Sequence, residues 1–118
     1  MHDSHQVEVS RVTAHEVEAR IDRDEPIVFI DARDEKEWAE SSLKLPGAVR
    51  VEADRVRDHL HEIPRGRGIV PYCTGPHEES SVRVAEELMR QGFPDVQALV
   101  GGFDAWKRAG CTLEHKPA

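Results

Sequence analysis

The sequence predicts an α/β domain built on a central, mostly parallel sheet of roughly five strands with helices on both faces. Two observations carry this prediction. Short apolar and β-branched runs alternate with amphipathic helical patterns, the order that parallel strands joined by helical crossovers require. The 118 residues are enough for one modest core, and no repeat, low-complexity segment or linker divides them.

The elements follow in order. Val7 to Val12 reads as a first strand. Thr13 and Glu16 form a capping box, and Val17 with Ile21 gives the helix behind it an apolar stripe. Pro26 closes the turn, Ile27 to Ile30 is a buried-strand run, and Asp31 to Asp34 is its polar exit. Asp34 with Glu37 predicts a second capped helix, carrying Trp38. Leu45-Pro46-Gly47 turns into a third strand over Ala48 to Val51, and Val56, Leu60 and Ile63 mark another helix. Gly68 to Cys73 is the fourth strand. The helix after the next loop sets Val82, Ala85, Leu88 and Met89 on one face, with Gly92 as its C′ residue. Val96 to Val100 is the last strand, and Gly101-Gly102 turns it into a helix over Phe103 to Arg108. The termini, about residues 1–6 and 114–118, are expected to fray.

Composition excludes some functions. The formal net charge of −7, from 16 Lys+Arg against 23 Asp+Glu, offers no basic surface for phosphate backbones, so no nucleic acid partner is expected. No apolar run approaches membrane-spanning length and the opening residues are polar, so the chain is expected to be cytoplasmic, with no membrane partner. Two cysteines, Cys73 and Cys111, are too few for a disulfide framework. His59 and His61 are two apart on a predicted helix and no Cys/His spacing matches zinc, so no metal is expected.

Cys73 sits where chemistry is expected. It ends a central strand at the carboxyl edge, where open α/β sheets place ligands, and the loop beyond it feeds a helix N-terminus whose N–H groups and dipole favour a thiolate. Three stretches around this position resemble the rhodanese-like family, small α/β domains that carry sulfane sulfur as a cysteine persulfide. VFIDARDEKEWAESSLKLPGAVRV is similar to the family's strand, Asp-x-Arg and Pro-Gly-Ala segment. VPYCTGPHEESSVRVAEELMRQGF is similar to its active-site strand, cysteine loop and helix, and VQALVGGFDAWKRAG to its closing Gly-Gly-aromatic-x-x-Trp signature.

The resemblance implies a sulfurtransferase in which Cys73 is catalytic: it takes sulfur from a small donor or a protein persulfide and passes it to a thiol or other nucleophile, with no cofactor. The loop of Thr74, Gly75, Pro76, His77, Glu78, Glu79 and Ser80 would cradle the persulfide with the backbone N–H groups of its non-proline residues. Asp31 and Arg33 resemble the family's Asp-x-Arg pair and would border the site, chiefly as a salt bridge. Trp106 and Phe103 are expected in the core, and Cys111 is expected to be a spare thiol.

The loop departs from the family pattern. It is slightly longer than the usual one and lacks the arginine commonly found near its end, with Glu78, Glu79 and Ser80 there instead. Carboxylates would repel an anionic donor such as thiosulfate, although acids in a helix's first turn also serve the dipole. Two alternatives stay open: a catalytically silent protein-binding module, and a cysteine phosphatase or arsenate reductase-like enzyme, which would need an arginine where Glu79 stands.

Overall fold

The computed structural model describes residues 8–75 and 79–117. Strand β2 (Ile27–Asp31) lies between β4 (Val49–Arg50) and β5 (Gly68–Tyr72), parallel to both. Strands β1 (Ser10–Val12) and β6 (Gln97–Leu99) form a second parallel ladder. A parallel bridge between Ile69 and Val96, beside the Ile69 N–H donating to the Asp95 carbonyl at 2.8 Å, joins the two. The spatial order is therefore β4-β2-β5-β6-β1. Where the sequence predicts one sheet of roughly five strands, the structure has a three-stranded and a two-stranded ladder meeting at that bridge. Val7, the expected start of the first strand, lies outside the described residues.

Alternation along the strands sorts the core into two clusters, one on each face of the sheet, because successive side chains point to opposite sides. Phe29, Val70, Tyr72 and Leu99 pack with Ala14 and Val17 of α1 (Ala14–Asp22) and with Phe103 and Trp106 of α4 (Gly102–Arg108). Ile30, Ile69 and Val96 pack with Val84, Ala85 and Leu88 of α3 (Glu79–Arg90) and with Val56 of a 3₁₀ helix (Val56–Glu62). Val84 and Leu88 are fully buried, contributing roughly 1.5–3 kcal/mol each through area removed from water.

Local chemistry sets the helix ends. Thr13 and Glu16 make the reciprocal capping box in front of α1. Asp34 accepts the Glu37 N–H at 2.7 Å at the start of α2 (Glu35–Glu40). Gly92, at φ +91°, lets the Phe93 N–H reach back to the Leu88 carbonyl and end α3. The segment expected as a helix over Val56 to Ile63 winds as 3₁₀, with no side-chain cap at Arg55 and Pro64 closing its end.

The chain end differs from the expected fraying. Strand β7 (Glu114–His115) pairs antiparallel with β3 (Leu43–Lys44), Glu114 accepts the Gly47 N–H at 2.8 Å, and the Lys116 ammonium sits 3.7 Å above the Trp38 ring. No helix among the described residues is long and apolar enough to cross a membrane.

Candidate active site

All five parallel strands end at one edge, so the first turns of α2, α3 and α4, which follow β2, β5 and β6, gather around the residue after β5. That residue is Cys73. The residue is 4 % exposed, and its thiol donates to the hydroxyl of Ser81 in the first turn of α3 at 3.5 Å. The Cys73 carbonyl accepts the Phe103 N–H at 2.7 Å and the Thr74 carbonyl accepts the Asp104 N–H at 2.8 Å, which stitches the loop to α4. The close approach depends on Gly102: at φ +57°, an added Cβ would stand 2.2 Å from the Cys73 oxygen.

A cleft of about 240 Å³ opens over the cysteine, lined by Cys73, Thr74, Gly75 and Ser80 together with Asp34, Glu37, Glu79 and Asp104. The Thr74 hydroxyl oxygen is buried in this wall and has no hydrogen-bond partner among the described residues. The N–H groups of Thr74 and Gly75 donate no hydrogen bond among the described residues either. Donors that lack partners inside the protein are suited to a charge that arrives with a ligand. A larger groove, about 510 Å³ between the 3₁₀ helix and α3, shares no residue with this cleft.

Asp31 and Arg33 stand behind the cleft and not in its wall. They form a buried ion pair, 2.7 Å from Nη2 to Oδ2, and Arg33 also donates to the Leu43 carbonyl at 2.9 Å. The Tyr72 hydroxyl donates to Asp31 at 2.9 Å and accepts the Leu45 N–H at 3.2 Å. Burial first, and then the Asp31 carboxylate, push the Tyr72 phenol far above its ordinary range, so it stays a donor. Arg33 in turn lies 4.9 Å over the Phe103 ring. This network fixes the ends of β2 and β5 relative to α4, so that its role is to hold the edge on which Cys73 stands.

Of the residues expected in the loop, Thr74, Gly75, Glu79 and Ser80 come together around Cys73, while Pro76, His77 and Glu78 lie outside the described residues. Asp34, Glu37, Asp104 and Ser81 were not picked out as site residues from the sequence. The first two read there only as helix-capping acids. The signal that finds them is topological: first-turn residues of every helix that follows a parallel strand face the same edge. Phe103 and Trp106 are buried as expected, Trp106 edge-on to Phe29 with centroids 5.1 Å apart. Among the described residues no group of three or more His, Cys, Asp or Glu side chains is placed to hold a metal ion.

Fold and site thus describe an α/β domain with a cysteine at the carboxyl edge of its sheet. Residues 13–109 match the family model described as Rhodanese-like domain, and the chain belongs to that family. It is 31 % identical over 81 residues to the thiosulfate sulfurtransferase GlpE of Coxiella burnetii, covering 69 % of this chain and 72 % of the relative. It is 28 % identical over 105 residues to a sulfurtransferase of Allochromatium vinosum, covering 89 % and 94 %. Among solved structures, a rhodanese-like domain protein from Staphylococcus aureus superposes with a TM-score of 0.72 at 25 % identity, over 92 % of this chain and 100 % of that one.

Proposed function

We propose that the protein is a rhodanese-type sulfurtransferase that carries sulfane sulfur as a persulfide on Cys73. The observation that carries this reading is the placement of Cys73: it follows a central strand directly, opens into a cleft, and meets the first turn of a twelve-residue helix. In the loading step the Cys73 thiolate attacks the outer sulfur of a donor R–S–SH. A new sulfur–sulfur bond forms between Cys73 Sγ and that outer sulfur, the donor's own sulfur–sulfur bond breaks, and R–S⁻ leaves with the bonding pair and takes a proton from water, leaving Cys73 as Cys–S–SH. In the unloading step an acceptor thiolate attacks the outer sulfur of the Cys73 persulfide and regenerates the Cys73 thiolate. The oxidation level of the transferred sulfur is conserved, so no external oxidant or reductant is needed.

The surrounding groups support both steps. Ser81 sits against Sγ, and the Thr74 and Gly75 N–H groups with the Thr74 hydroxyl offer hydrogen bonds to a terminal persulfide sulfur. The cleft wall carries no arginine among the described residues, which argues against oxyanion chemistry of the phosphatase kind. The test is steady-state sulfur transfer from a persulfide donor to a thiol. Parallel double-reciprocal lines, lost in Cys73→Ser, are expected for a two-displacement cycle. Absence of transfer in folded protein would favour a silent binding module.

A further inference from the structure

The cleft wall has an unusual charge for a site that handles anions. Its four carboxylates come from three helices: Asp34 at the N-cap of α2, Glu37 in the first turn of α2, Glu79 at the start of α3 and Asp104 in the first turn of α4. None of them is in an ion pair among the described residues. The Asp104 carboxylate overhangs the loop itself, since a Cβ added to Gly75 would lie 3.1 Å from its Oδ2. Arg33 and Arg83 line an adjoining groove that shares Asp34 and Ser80 with the cleft, but Arg33 is buried and committed to Asp31, and Arg83 is exposed to solvent on α3 and lines that groove, not the cleft. Polar help at the sulfur therefore comes from uncharged groups, the Thr74 and Gly75 N–H groups and the hydroxyls of Thr74, Ser80 and Ser81, while the approach to it is negative.

Resting on the sulfurtransferase reading, we propose that this wall selects partners by charge: the cleft takes a persulfide or thiol bearing an ammonium or guanidinium group beside its sulfur, and turns away sulfonate and carboxylate carriers, thiosulfate included. Helix capping explains one carboxylate per helix end, and Asp34 does cap α2. It does not explain why Glu37, Glu79 and Asp104 line one opening that no lysine or arginine lines among the described residues. A donor's ammonium group would supply the missing counter-charge, and the sulfur beyond it would reach Cys73 past uncharged hydroxyls. Thiosulfate would bring two negative charges into the same field and release sulfite there, where no lysine or arginine lines the cleft among the described residues. The same chemistry is offered by a small aminothiol persulfide and by a cysteine persulfide flanked by lysine or arginine in a protein.

The experiment uses three donors of matched size, the persulfides of cysteamine, 2-mercaptoethanol and 3-mercaptopropionate, each one unit of charge apart, and reads the second-order rate of Cys73 loading by intact mass. At low salt the rates should fall about tenfold per added negative charge, the size that several exposed carboxylates within a Debye length produce, and the spread should shrink as salt is added. The triple variant Glu37→Gln/Glu79→Gln/Asp104→Asn should compress the spread to about threefold, while Asp58→Asn, outside the cleft, should keep it. Peptide persulfides flanked by lysine or by glutamate then distinguish a protein source from a small one: a lysine peptide faster than cysteamine persulfide points to a protein. Equal loading by all three small donors in wild type at low salt would overturn the proposal and leave the sulfurtransferase reading intact. If no donor loads Cys73 at all, both fall. Should the triple variant fail to fold, the salt dependence in wild type still decides.

Discussion

The two cysteines are almost equally buried, Cys73 at 4 % and Cys111 at 7 % exposure, yet their surroundings set them to opposite uses. Cys111 packs into the apolar cluster with Val17, Trp106 and Leu113, and its N–H bonds the Trp106 carbonyl at 3.3 Å. Burial first, and then the nearby Glu18 carboxylate, push its thiol up to about 11. Cys73 faces a hydroxyl, a cleft and loop donors that have no partner among the described residues. Low exposure therefore says little about reactivity. What decides is whether the sulfur looks into an apolar core or toward the edge where helices begin.

The largest effect should come from exchanging the two sulfurs' fates. Cys73→Ser should lower sulfur loading by about a thousandfold or more, because the other thiol, Cys111, is buried in the apolar core. Cys111→Ala should keep loading and cost about 1 kcal/mol of stability for the small cavity, read from denaturant unfolding. Next, Arg33→Met would leave the Asp31 carboxylate buried and unpaired beside Tyr72, and should cost about 3–5 kcal/mol in the same unfolding measurement.

Gly102→Ala sharpens the contrast, since it strikes the Cys73 carbonyl and leaves the Cys111 pocket alone. An added methyl at φ +57° and 2.2 Å from that oxygen should cost about 2–4 kcal/mol and slow loading in the fraction that folds. The smallest effect is a pH dependence. The folded Cys111 thiol is raised from 9.0 to about 11, so its burial contributes stability that is fully present below about pH 9 and is lost as pH rises toward about 11. Alkylation of Cys111 in the Cys73→Ser protein should accordingly be slow at about pH 8 and quicken only near its raised value. Rapid modification at the lower pH would show that Cys111 is not held in the core.

Much of this was legible in the sequence because it depends on local signals. The Thr13 and Asp34 caps, the Gly92 terminus and the strand runs at 27–31 and 68–72 each declare themselves within a few residues. Cys73 was legible because a strand, a loop and a helix follow one another around it. What was not legible depends on distance along the chain. The pairing of Glu114–His115 with Leu43–Lys44 joins two short segments with no strand pattern of their own. The gathering of Asp34, Glu37 and Asp104 at one opening needs the sheet order β4-β2-β5-β6-β1, which no local pattern encodes. The 3₁₀ winding of Val56–Glu62 escaped because its apolar spacing is compatible with either helix.

The central claim, that sulfur resides on Cys73 and not on Cys111, is tested most directly by intact mass measurement after exposure to a persulfide donor, followed by peptide mapping of the loaded protein. A gain of one sulfur atom that a strong dithiol reductant removes is expected, located on the peptide containing Cys73, retained in Cys111→Ala and absent in Cys73→Ser. A gain that persists in Cys73→Ser, or that maps to Cys111, would contradict it.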